Sequence, residues 1–104
     1  MAANILKDAD TLNDTGNALK LGRPVKDHTL QVTCPASVTA LTIEVHGSLD
    51  GASWFTIDSH ALSAPEITAE AALYHITDEI VEYVRAKVAA LTGTGTINVL
   101  HSGK

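Results

Sequence analysis

The chain has 104 residues, with seven Lys and Arg against twelve Asp and Glu and a formal net charge of −5. That length is one small domain, and that charge argues against affinity drawn from phosphate contacts: only Lys20, Arg23 and Lys26 come near to a cationic cluster, so no nucleic acid is expected as a partner. A lone cysteine, Cys34, excludes an intramolecular disulfide and any zinc site built on cysteines.

A chain this short buries roughly 60 to 70 per cent of its unfolded surface, so its core is thin and self-association is a natural way to extend it. Trp54, Phe55, Tyr74 and Tyr83 are the only aromatic residues, which makes that core aliphatic. The start, Met1-Ala-Ala-Asn-Ile-Leu-Lys-Asp8, has a two-residue apolar run before the charges and does not read as a signal peptide. No apolar run reaches the ~18 residues needed to span a membrane, so no membrane partner is expected.

Residues 1–17 read as an N-terminal arm or edge hairpin, ahead of a β-sandwich domain at 18–104. Ile5 to Leu12 and Ala18 to Leu21 flank Asn13-Asp-Thr-Gly16, and the segment ends at Pro24. Ile5, Leu6 and Leu12 stand among seven charged or amide side chains up to Asn17. They are too few to make a core alone but enough to dock on another surface, which makes them the candidate interaction residues.

From His28 to Cys34 the residues alternate, and Cys34 shares a face with Leu30 and Val32; it reads as a small buried hydrophobe. Leu41, Ile43 and Val45 then share one face while Thr42, Glu44 and His46 share the other, the signature of a strand with one buried face. Asp50-Gly51 predicts a chain reversal, because both types tolerate positive φ and Asp bonds its own downstream backbone. Trp54 to Ile57 returns as the hairpin partner, with either Phe55 and Ile57 or Trp54 and Thr56 against the core. Between Ser59 and Thr77 the pattern dissolves into a long connection with one short strand near Leu73 to Ile76.

Residues 78–91 carry two periods at once. Ile80, Val81, Val84, Val88 and Leu91 recur at helical spacing, while Val84, Ala86, Val88 and Ala90 also alternate with Tyr83, Arg85 and Lys87. Against an all-β background the segment is assigned as a central strand, paired through Thr92-Gly-Thr-Gly95 with a last strand from Thr96 to Leu100 that turns Ile97 and Val99 inward. The fold class is therefore all-β: a single β-sandwich or barrel-like domain of about seven or eight strands with an extended N-terminal segment.

No residue set points to catalysis. His28, His46, His60, His75 and His101 are scattered without a His-x-His or His-x-x-x-His pair and read as exposed or strand-edge histidines. Asp78, Glu79 and Glu82 form an acidic patch that meets Arg85 and Lys87 or stays solvated. None of Ser48, Ser53, Ser59 and Ser63 has the surroundings of a nucleophile elbow, and the glycines are scattered singly. No catalytic residue, cofactor or metal is expected, and the chain does not read as an enzyme. Asp50, Gly51, Trp54, Gly93 and Gly95 are instead structural turn and packing residues; Trp54→Ala is expected to cost about 3 to 5 kcal/mol if the ring is well buried.

Gly47-Ser-Leu-Asp-Gly-Ala-Ser-Trp54, preceded by an alternating strand and followed by Tyr83-Val-Arg-Ala-Lys-Val-Ala-Ala-Leu-Thr-Gly93 and Thr96-Ile-Asn-Val99, resembles a family of small virion proteins of tailed bacteriophages. The resemblance covers roughly residues 28 to 100, with a looser match from Asp14 to Gly22, and the acidic connection from Ser59 to Thr77 is longer than the family's pattern. It implies a non-enzymatic β-sandwich that decorates or cements the capsid or forms part of a tail or fibre, located in the virion. The implied partners are the major capsid protein or other virion proteins, with a homo-oligomer, a trimer by family analogy. The alternative is a glycan-binding or adhesin module with Trp54, Asp50 and Tyr74 near its site.

Overall fold

In the computed structural model, which describes residues 3–103, period-two alternation is realised as strand through most of the chain. The elements in chain order are β1 (Ala3–Ala9), β2 (Leu19–Val25), β3 (His28–Thr33), β4 (Val38–Ser48), β5 (Phe55–Ala61), α1 (Ala64–Ala69), β6 (Ala71–Ile76), β7 (Val81–Gly93) and β8 (Ile97–Gly103). They form two antiparallel four-stranded sheets, ordered β1-β8-β3-β6 and β2-β7-β4-β5, packed as a β-sandwich.

The inward positions are those the alternation marks. Ile43 and Val45 of β4, with Val84, Ala86 and Val88 of β7, are fully buried against Leu30 and Val32 of β3 and Ile97 and Val99 of β8. Each large aliphatic side chain removed from water there contributes about 1.5 to 3 kcal/mol, in a core with almost no aromatic residue. Cys34 lies in the same interior, and burial pushes its thiol pKa up, as befits an inert packing residue.

Residues 83–91 are strand, as assigned, but their partner differs from the expected one. β7 pairs with β4 on one side and β2 on the other, while β8 lies in the opposite sheet between β1 and β3. The link around Gly93 and Gly95 is thus a crossing between sheets and not a hairpin turn. Gly93 has φ +109°, and a Cβ there would sit 2.2 Å from the Ser37 carbonyl oxygen, so both backbone angle and crowding demand glycine. β7 already has both edges occupied, and only by changing sheet can the chain after it bury Ile97 and Val99 opposite the first layer.

The reading of Ile5 and Leu6 as docking residues on a free arm is also corrected. β1 hydrogen-bonds along β8, with Ala3 opposite His101 and Ala9 opposite Ile97, and it turns Ile5, Leu6 and Ala9 into the chain's own core. Two adjacent residues can both face inward because the β1–β8 register shifts between Asn4 and Leu6 and again before Ala9. β1 and β2 do not form a hairpin; they are edge strands of different sheets. Between them, residues 13–16 run along β7: the Asn13 amide donates to the Val88 carbonyl, the Val88 amide to the Asp14 carbonyl and the Gly16 amide to the Ala86 carbonyl. Leu12 remains exposed. Met1 and Ala2 of the expected arm and Lys104 lie outside the described residues.

The connection from Ser59 to Thr77 holds β6 where a short strand was expected, and also a helix that was not. Ser63 and Glu66 form a capping box: the Ser63 hydroxyl accepts from the Glu66 amide and the Glu66 carboxylate from the Ser63 amide, with Pro65 in the first turn. The helix stops after six residues at Glu70, whose φ of 61° is left-handed.

Candidate functional site

Three groups of side chains stand out from the sandwich framework. The first lies at the β4–β5 turn. The Asp50 carboxylate accepts hydrogen bonds from the Ala52 and Ser53 amides and the Ser48 hydroxyl, and the Ser48 oxygen accepts from the Asp50 and Gly51 amides. These bonds to the ionised form hold the Asp50 carboxyl below the usual carboxylate range. Gly51 completes the turn at φ +79°. A turn so fully bonded internally holds Leu49 out in solvent at 64% exposure, beside Phe55 at 68% and, from the β6–β7 loop, Ile80 at 58%. Together with Ile57 and Val81 they line a crevice of about 340 Å³ whose polar edge is Asp50, Ser53 and Glu79.

The second group is on the outer face of the β2-β7-β4-β5 sheet. His46 stands directly opposite Arg85 in the ladder, Glu44 opposite Lys87 and Ser48 opposite Tyr83. Imidazole Nε2 of His46 hydrogen-bonds the Glu44 carboxylate at 3.1 Å, and its Nδ1 accepts from Arg85 Nε at 3.1 Å. The Arg85 guanidinium carbon lies 4.3 Å from the centroid of the Trp54 ring, a cation–π contact. Trp54 is half-buried by this stacking and stands just before β5, outside the core.

The third group is internal. His28 Nδ1 and His101 Nε2 are 2.8 Å apart, His28 Nε2 donates to the Glu79 carbonyl at 2.9 Å, and both rings are buried. Burial and the neighbouring His28 lower the His101 pKa to about 4. The expectation of exposed or strand-edge histidines is therefore corrected for His28, His101 and the largely buried His46. His28 and His101 occupy inward positions in line with Leu30 and Val99, and their mutual bond is what makes two imidazoles tolerable there.

The residues singled out from the sequence separate in space. Asp50, Gly51 and Trp54 come together in one turn, while Gly93 and Gly95 sit at the other end of β4, where Val38 pairs with Gly93. Phe55 is exposed, and of the two pairs proposed to face the core only Ile57 does so. Tyr74 stacks on His60 with ring centroids 4.2 Å apart, its hydroxyl is buried without a partner, and burial raises its pKa. Among the described residues no group of three or more His, Cys, Asp or Glu side chains could hold a metal ion, and no helix is long and apolar enough to cross a membrane. Leu49, Ile80, His46 and Arg85 were not singled out; the signals available were a leucine inside a polar turn and an isoleucine out of step with the alternation of β7.

No protein-family model matches the sequence, and a search of curated proteins finds no match. Solved structures do match. The SPBc2 prophage-derived protein YomS aligns over 98% of this chain and 92% of its own, with a TM-score of 0.60 at 12% identity. CBM32-3 from a family 31 glycoside hydrolase of Clostridium perfringens aligns over 95% of this chain and 72% of its own, with a TM-score of 0.66 at 15% identity. The C-terminal domain of a chitobiase from Bacteroides fragilis aligns over 92% and 66%, with a TM-score of 0.62 at 15% identity. At these identities the likeness is one of fold. It places the chain among β-sandwich domains, with a prophage-derived protein and a carbohydrate-binding-module domain as neighbours.

Proposed function

We propose that this protein is a non-enzymatic virion structural protein of a tailed bacteriophage, a capsid decoration or cement module that docks by the end of the sandwich carrying Leu49, Phe55 and Ile80. The observation that carries this reading is the exposure of three large apolar side chains around one crevice on a domain whose core is already complete. Such a cluster costs solubility and is what a protein–protein contact uses as its centre. The internally bonded Asp50 turn supports the same reading, since a rigid loop loses little entropy on docking. The prophage-derived neighbour is consistent with it, and the partner is the major capsid protein or another virion protein, with trimeric self-association as the family resemblance suggests.

The residues first in line for a sugar are otherwise engaged: Asp50 with its own loop, Trp54 with Arg85 and Tyr74 with His60. The test is co-sedimentation with phage heads that lack the protein. The wild-type chain is expected to pellet with heads, and a folded variant carrying Leu49→Ser, Phe55→Ser and Ile80→Ser is expected to stay in the supernatant. Equal binding by the variant would remove this end as the docking surface, and no binding of the wild type to any virion part would remove the virion reading.

A further inference from the structure

We propose that the outer face of the β2-β7-β4-β5 sheet is a binding site for the carboxylate of an acidic sugar, with Arg85 as the group that holds it. This inference does not rest on the capsid reading.

The strand register assembles the site. Glu44, His46 and Arg85 are outward residues of two neighbouring strands, and the bonds among them run in one direction. The His46 Nε2–H donates to Glu44, which leaves Nδ1 as a bare acceptor for the Arg85 Nε–H. The Trp54 ring lies under the guanidinium, its centroid 4.3 Å from Cζ. A long side chain that is normally free to sample many rotamers is thus held by two contacts, at Nε and at Cζ.

What is fixed still has unused donors. One of the five guanidinium N–H groups is bonded to His46; among the described residues the two Nη groups make no hydrogen bond, and they are not among the buried atoms lacking a partner, so they are not closed off from solvent. The Nη edge presents parallel N–H bonds that fit the two oxygens of a carboxylate. Glu44 does not serve as that anion: its carboxylate is bonded to His46, and no salt bridge to Arg85 or Lys87 forms among the described residues.

The surroundings select the carrier of the carboxylate. Tyr83 and Lys87 flank Arg85 at the same-face positions of β7, while Thr56 stands opposite His46 and Ser59 opposite Glu44 on β5. The face offers an ammonium and hydroxyls beside a Trp54 ring already stacked on Arg85, and its outward positions on β4 and β7 hold no exposed large aliphatic residue. A protein partner needs an apolar centre to its contact, whereas a hydroxylated ring bearing a carboxylate is met by polar donors and acceptors such as these.

The experiment is an NMR titration of the full chain with trigalacturonate, its methyl ester, neutral galactotriose and glutarate, following the Arg85 Nε–H and Trp54 indole signals. Trigalacturonate is expected to give saturable shifts at both, and its methyl ester and galactotriose none. Arg85→Lys, which keeps the charge and loses the fork, is expected to weaken binding at least about tenfold, and Arg85→Gln to abolish it, each checked for an unchanged fold by its backbone spectrum. Shifts retained with the methyl ester, or unchanged affinity in folded Arg85→Gln, would overturn the site. Binding of glutarate without trigalacturonate would overturn the sugar assignment, since the carboxylate read would then be that of an acidic side chain. If a substitution unfolds the chain, the methyl-ester comparison on the wild type decides alone.

Discussion

His28 and His101 share a 2.8 Å hydrogen bond between imidazole nitrogens inside the sandwich. Because His28 donates from Nε2 to the Glu79 carbonyl, its Nδ1 is the acceptor in the neutral pair and His101 Nε2–H the donor. The chain Glu79–His28–His101 ties β3, β8 and the loop that carries Ile80 together at one end of the molecule.

This pair makes stability fall in mild acid. The folded-state pKa of His101 is lowered to about 4 from an ordinary 6.5, so its neutral form is favoured by folding. The contribution is fully present above pH 6.5 and is lost progressively as pH falls toward 4, because the unfolded chain takes up the proton first. Urea midpoints measured from pH 7.5 to pH 4 are expected to decline in the wild type. The decline should be shallower in His101→Phe, and parallel curves for the two proteins would refute the assignment.

A chain beginning at Ala18 is expected to be unfolded or severely weakened. It lacks β1 and with it buried Ile5 and Leu6, each contributing about 1.5 to 3 kcal/mol, together with the ladder to β8. Against a total stability of about 5 to 15 kcal/mol this loss is large. Thermal unfolding followed by circular dichroism tests it, and an unchanged midpoint would mean that β1 adds nothing to the domain.

Substitutions in the two layers should rank by burial and not by side-chain size. Ile43→Ala, at a fully buried central position, is expected to cost about 2 to 5 kcal/mol. Trp54→Ala removes a larger side chain from a half-buried place under Arg85, and about 1 to 2 kcal/mol is expected, below the cost anticipated for a well-buried ring. Denaturant titration of both variants gives the order directly, and the reverse order would place Trp54 in the core.

Gly93→Ala is expected to destabilise by more than about 2 kcal/mol. The new methyl group would meet the Ser37 carbonyl at 2.2 Å while the backbone holds φ at +109°. A variant with wild-type stability would show that the crossing between sheets can move aside.

Much of the fold is legible in local pattern. The alternation of Leu41, Ile43 and Val45, the Asp50-Gly51 reversal and the strand character of residues 83–91 are properties of neighbouring residues, and each is realised. Pairing is a different matter. Gly93-Thr-Gly95 carries a turn signal whether the chain folds back in one sheet or crosses to the other, and only the occupancy of both β7 edges decides between them. Ile5 and Leu6 fail to show alternation because a shift in register lets adjacent residues point the same way. The capping box of Ser63 and Glu66 is visible in the sequence, but a helix of six residues has no apolar period to accompany it.

The site groups were less legible for the same reason. His28 meets His101 across 73 positions and Arg85 meets His46 across 39, distances at which no spacing rule operates. Leu49 and Ile80 converge only once the β4–β5 and β6–β7 loops are brought to one end.

The order β1-β8-β3-β6 has a consequence for how this layer closes. β8 is an interior member of its sheet, so β1 and the β3–β6 pair are joined to each other only through it. The closing ladder sets Ala3 against His101, almost the whole described chain apart, and such non-local pairing carries a loop-closure entropy that the hairpin of β4 and β5 does not. One half of this small aliphatic core therefore depends on the contact that is slowest to find.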